Sequence, residues 1–271
     1  MVGAYFMSIV VTPESRSKVS PKRTLLLKVF GKASGSFRRS LGELSRVRVN
    51  ANGAERELAK ANQNMESTLK DVLGATGLPV VTSDAAIPEG AYWLVAPLVS
   101  QRNALYARNE TCVAVAYIEK DGTCPIGAIM MPLEDICVIA EAGLGASAEG
   151  LGRLRCGNRV ELADTLCMVP WKTKDVVHWN LLSKLDDAGV HTRKSGNTLM
   201  DIVDVACGKA DFAIGMSLTR IEVMLANLIM AESAGFASDL QGKALGPTST
   251  KFIISNPKLH AQIVRELELK S

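Results

Sequence analysis

Three short apolar runs in the middle of the chain, Cys112 to Ile118, Ile126 to Met131 and Ile136 to Ala140, constrain the fold more than any other feature of the sequence. Runs of five to seven such residues bounded by turn signals read as buried strands. The first two flank Glu119-Lys120-Asp121-Gly122, where Asp-Gly supplies the positive φ that a tight hairpin needs. The third run extends the pair into an antiparallel meander. From Gly53 to Leu73, Leu58, Ala61, Met65, Leu69, Val72 and Leu73 recur at steps of three and four, and Gly74 is placed to stop the helix that this stripe implies. Tyr92 to Val95 reads as a further strand, ending at Ala96-Pro97.

Beyond residue 150 the pattern alternates. Thr165 to Val169 is strand-like, and Val176 to Ala188 is a helix with Leu181, Leu182 and Leu185 on one face. Thr198 to Cys207 is a helix stopped by Gly208, Phe212 to Ile214 a strand, and Glu222 to Ala234 an apolar helix stopped by Gly235. Lys251 to Ile254 and Pro257 to Leu269 close the chain as strand and helix. Antiparallel strands with helices layered on them predict an α+β class, in two packed halves, 24–150 and 151–271. A polar tail at 1–23 precedes them, with structure starting around Thr24.

Composition excludes several classes. With 47% hydrophobic and 22% charged residues, the chain is too apolar for disorder, and 22 Gly with 10 Pro leave no room for a fibrous repeat. The apolar stretch Ala4 to Val11 is far shorter than the roughly 20 residues of a membrane span and lacks the flanks of a secretory signal, so no membrane role is expected. Six cysteines, at 112, 124, 137, 156, 167 and 207, include no CxxC pair and have no histidine at metal-clamp spacing. They read as reduced, buried thiols of a cytoplasmic protein. Charge is uneven: residues 1–60 carry twelve Lys or Arg against four Glu, while the whole chain is only +3. That basic end suits either a polyanion or protein partner, or a solvated helix face plus a loose tail.

Individual residues stay open between chemistry and structure. Glu222, at a helix start, is either a residual ligand or base, or a carboxylate favoured by the helix dipole. Asp201 and Asp204 share a helix face, facing a polyol or capping a loop. His178, His191 and His260 are dispersed, with no nucleophile elbow or cysteine partner, so surface or core roles are expected. Gly143-Leu144-Gly145 reads as a phosphate cradle or a structural turn, and Trp171 and Trp179 as core or interface residues rather than stacking platforms.

Four stretches in fixed order resemble the inositol monophosphatase family, the magnesium-dependent sugar-phosphate phosphatases that include the bacterial extragenic suppressor proteins. Trp93 to Gln101 resembles the family's strand followed by Asp-Pro-Ile/Leu-Asp-Gly-Thr, and Ala140 to Ala146 its Ala-x-x-Gly-x-Gly-Ala. Asp204 to Asp211 resembles Asp-Val-Ala-x-Gly-x-x-Asp. Arg220 to Gly242 resembles Trp-Asp-x-Ala-Ala with the later Glu-Ala-Gly-Gly and Asp-Leu-x-Gly, kept here as Glu232-Ser233-Ala234-Gly235 and Asp239-Leu240-Gln241-Gly242. The likeness spans about residues 24–269 and implies a layered α-β-α-β-α sandwich and a homodimer.

Carried over position by position, the resemblance also implies a loss. The family holds Mg²⁺ with carboxylates, one metal activating water for in-line attack on phosphorus. Its two motif aspartates fall on Ala96 and Val99, and its Gly-Thr on Ser100-Gln101. Its Glu-Glu loop falls near Thr82-Ser83 and its helix aspartate on Asn62; only Glu222 is still a carboxylate. A change of register would bring Asp84 or Glu89 toward the cleft without restoring two carboxylates around Pro97-Leu98. Ser100, Gly196, Asn197 and Asp201 remain as residues to contact a substrate. The expectation is a scaffold without cofactor that binds a protein or RNA; the alternative is a phosphatase of altered or residual activity on inositol phosphate or a related ester.

Overall fold

The computed structural model describes residues 20–47, 51–106, 108–170 and 176–267. Two long helices, α1 (Pro21–Val47) and α2 (Ala51–Leu73), come first. Seven strands then pair in chain order: β1 (Val80–Thr82), β2 (Tyr92–Val99), β3 (Cys112–Ile118), β4 (Ile126–Met131), β5 (Ile136–Glu141), β6 (Gly145–Ala148) and β7 (Gly152–Arg153), with a short helix α3 (Gln101–Leu105) between β2 and β3. β1 runs parallel to β2 and every later neighbour is antiparallel. The second half supplies β8 (Leu166–Met168), α4 (Val176–Asp187), β9 (His191–Arg193), α5 (Thr198–Ala206), β10 (Phe212–Met216), α6 (Arg220–Glu232), β11 (Phe236–Ser238), β12 (Lys251–Ser255) and α7 (Pro257–Leu267). Its five strands are ordered β11-β12-β10-β8-β9.

Side-chain alternation along the strands sorts these elements into layers. Val113 and Val115 of β3 face α1 and α2, packing with Leu26, Phe37, Met65 and Leu69. Cys112, Ala114 and Ala116, one residue out of step, face the other way into a core shared with α5 and α6. In β12, Phe252 and Ile254 join that same central core, whereas Ile253 packs outward with Leu181, Leu185, Leu259 and Ile263 of α4 and α7. Both sheets are therefore buried on two faces, which is why their strands read as unbroken apolar runs. The order of layers is α-β-α-β-α.

The meander forms as expected, with Gly122 at φ 86° in its turn. Two expectations change. Pro97 does not end β2: the pairing passes from Ala96 opposite Ala114 to Val99 opposite Cys112, so three residues of β2 span two of β3. Proline lacks the N–H for a ladder bond, and the strand accommodates it as a bulge rather than a stop. Helix α1 also opens a little before Thr24, at Pro21, a residue suited to a first helical turn. Several of the basic residues of 1–60 are spent on docking that helix: Lys22 lies 4.3 Å from the centre of the Tyr117 ring, Arg23 donates to Ser147 Oγ at 2.6 Å, and Arg38 reaches Asp135 at 3.0 Å and the Pro132 carbonyl at 3.1 Å. Residues 1–19 and Trp171 lie outside the described residues, as does the side chain of His178.

Candidate functional site

The end of β2, the loop after β1 and the start of α6 converge with Asn62 of α2 around an open cleft of about 870 Å³. The fold thus gathers one set of residues from four separate places in the sequence. Asn62, Thr82, Ala96, Val99, Ser100, Gln101 and Glu222 all line it. Of the two acids that register left open, Asp84 lies in the cleft wall and Glu89 does not.

The cleft keeps a turn that its sequence makes costly. Ser100, the N-cap of α3, sits at φ 61°, ψ 64°, in the left-handed region that glycine enters at no steric cost and L residues do not. β2 must leave the sheet there, and the backbone takes that path with serine at the position where the resemblance implies glycine.

Each ionic group in the cleft is engaged by its own surroundings. Glu222 accepts from the backbone N–H and the hydroxyl of Thr219, both at 2.7 Å, closing the first turn of α6. Asp84 accepts from the Thr82 hydroxyl at 2.6 Å, and that bond holds its carboxyl below the ordinary aspartate range. Arg220 donates through Nη2 to the carbonyls of Ser83 and Ala85, each at 2.8 Å, while its Nη1 is buried and has no partner among the described residues. Ser83 Oγ accepts in turn from the Ile221 N–H at 3.3 Å, so the loop after β1 is fastened to the start of α6. Arg220 was not singled out by the sequence as a site residue; its arginine type beside the apolar start of α6 was the one available signal.

The three remaining expected residues, Gly196, Asn197 and Asp201, do not line the cleft, although Leu199 beside them does. Asn197 is buried and caps α5, its Oδ1 accepting from Leu199 N at 3.1 Å. Asp201 is buried behind the wall, where Ser195 Oγ donates to it, and burial raises its pKa to about 7. Burial likewise raises the pKa of Asp204, which lies in a separate depression with Arg193 and Lys209. His260 is a satisfied core residue between Ser238 and Ser255, and burial lowers its pKa to about 4; His191 is exposed.

Gly143-Leu144-Gly145 forms a turn whose occupant is the protein itself. Glu232, at the far end of α6 from Glu222, accepts from the N–H groups of Gly143 and Gly145, both at 2.7 Å. Both glycines have positive φ, 75° and 94°. All six cysteines are free, and burial pushes the thiols of Cys112, Cys124 and Cys137 up to about 12. Among the described residues, no group of three or more His, Cys, Asp and Glu is placed to hold a metal ion, and no helix is long and apolar enough to cross a membrane.

Comparison with known proteins agrees with this geometry. An inositol-1-monophosphatase of Mesorhizobium japonicum is 27% identical over 222 residues, covering 78% of this chain and 82% of that protein. A Nus factor SuhB of Xylella fastidiosa is 27% identical over 177 residues, covering 62% of this chain and 64% of that one. Among solved structures, the extragenic suppressor protein suhB of Bartonella henselae superposes with a TM-score of 0.80 at 21% identity, over 92% of this chain and all of that one, a likeness of fold. The family model matches residues 32–270, and the chain belongs to the inositol monophosphatase family.

Proposed function

We propose that this chain is a member of the family without metal-dependent phosphatase activity and that it works by binding. The observation that carries the reading is the donor set of the cleft. Ala96 and Val99 have no atom that ligates a metal, Asn62 and Thr82 offer only neutral oxygens, and Glu222 is committed to its own helix. Mg²⁺ dehydrates reluctantly even where several carboxylates meet it, so Glu222 and Asp84, each already engaged by a threonine and otherwise flanked by neutral groups, do not fit the ion. No step of hydrolysis is therefore derived through a metal. The similarity to an inositol-1-monophosphatase favours the second reading, a phosphatase of residual or altered activity.

Steady-state hydrolysis of inositol 1-phosphate in millimolar Mg²⁺ separates the two. The expected result is no turnover above background; turnover of about one per second, the low end of ordinary enzymes, overturns the proposal. The resemblance to suppressor proteins and the Nus factor name of the Xylella fastidiosa relative support a protein or RNA partner in the cytoplasm. A homodimer is part of the same proposal: light scattering at tens of micromolar should give the mass of two chains, and the 29.0 kDa of one chain contradicts it.

A further inference from the structure

Losing the metal ligands leaves a roomy cleft, and its lining is selective. A phosphate monoester brings about two negative charges, which a protein offsets with a metal or with cations that it presents to the ligand. Here the lone cation is turned inward: Arg220 Nη2 serves two carbonyls and Nη1 is buried. Asp84 and Glu222 line the same cleft, so its three charged side chains sum to −1. An incoming phosphate meets repulsion and finds no free donor of opposite charge.

Neutral groups are what remain. The amides of Asn62 and Gln101 and the hydroxyl of Ser100 have no hydrogen-bond partner among the described residues, and all three line the cleft. Beside them stand the half-buried side chains of Val99 and Leu218, both packed on the central core and still reachable from solvent. A volume of about 870 Å³, apolar walls and a few unpaired polar groups are the usual makings of a small-molecule site.

We propose that the cleft binds an uncharged ring compound carrying hydroxyls, of the nucleoside class, without any metal. The planar base supplies an apolar face for Val99 and Leu218, and the ribose hydroxyls supply partners for Asn62, Gln101 and Ser100. A simple polyol fits less well because it has no face to lay on the apolar wall. This inference rests on the reading that the cleft performs no metal-dependent hydrolysis.

The test is calorimetry on the full chain with a matched pair of probes, adenosine and adenosine 5′-monophosphate, first in EDTA and then in millimolar Mg²⁺. Adenosine should bind saturably and the monophosphate at least about tenfold more weakly, with neither affinity changed by Mg²⁺. Asn62→Ala and Gln101→Ala should each weaken adenosine about threefold or more with an unchanged melting temperature, since both replace partly exposed amides that no other side chain needs. Equal or tighter binding of the monophosphate, Mg²⁺-dependent binding, full affinity in both variants, or no saturation of adenosine below about 10 mM overturns the inference. Those outcomes, with no turnover of inositol 1-phosphate, leave the non-catalytic reading standing; turnover overturns that reading itself.

Discussion

Helix α6 joins two regions that have kept different things. At its C-terminal end, Glu232 still clasps the glycine turn through two backbone N–H groups, and motif and geometry are both present. At its N-terminal end, around the left-handed turn at Ser100, the cleft carries Ala96, Val99, Thr82 and Asn62 at the positions where the resemblance implies acidic side chains. The difference shows which layer of the structure depends on which residues. The turn between β5 and β6 is fastened by one carboxylate, that of Glu232. The cleft wall is held by strand pairing and by the layers behind it, so its surface chemistry can change while the backbone stays.

The largest effect predicted from this contrast comes from a carboxylate that lies behind the cleft rather than in it. Burial raises the folded-state pKa of Asp201 to about 7, above the roughly 3.9 of an unfolded chain, so the folded protein keeps a proton that the unfolded chain releases. Raising the pH through that interval therefore costs stability, at about 1.4 kcal/mol per pH unit, and the loss stops above pH 7. Asp201→Asn removes the titration. Urea unfolding of the two proteins at pH 5 and pH 8 should show the variant gaining about 2–3 kcal/mol relative to its parent across that range; parallel pH profiles would place the titrating group elsewhere.

A smaller effect is expected at the turn. Glu232→Ala leaves the N–H groups of Gly143 and Gly145 without their acceptor and should lower the unfolding free energy by about 1–3 kcal/mol, read from the urea midpoint. An unchanged midpoint would mean that this end of α6 is no better fastened than the other and would remove the contrast.

Much of the fold was legible because its strands are buried on both faces. Cys112 to Ile118 and Ile126 to Met131 carry apolar side chains at every position, and no helical reading competes at that length. The stripe from Leu58 to Leu73 was plain because a two-sided helix shows its period. Helix α1 was not legible. Gly31, Gly35 and Gly42 lower its intrinsic propensity, and it stands because Leu26, Val29, Ala33 and Phe37 pack on the sheet, a tertiary contact that no local pattern reports. Pro97 misled for the same reason, since a bulge depends on the partner strand. At the site, the order of the motifs points to Asn62, Thr82, Ala96, Val99, Ser100, Gln101 and Glu222, which the structure brings to one cleft. The fastening of Thr219, Glu222, Ser83 and Arg220 to one another was not legible, because the Ser83–Ile221 and Ser83–Arg220 bonds join residues more than a hundred positions apart.

The contrast stands or falls on whether the cleft holds Mg²⁺. In a site of clustered carboxylates the ion relieves like-charge repulsion and stabilises the fold as RT ln(1 + [L]/Kd), whereas a cleft whose two carboxylates, Glu222 and Asp84, are each engaged by a threonine gives a Kd above any millimolar concentration used. Thermal melts of the full chain in EDTA and in millimolar Mg²⁺ should therefore differ by less than about one degree. A saturable rise of several degrees, abolished by Glu222→Ala, would show a working metal site and contradict the reading of this cleft as one that binds without metal.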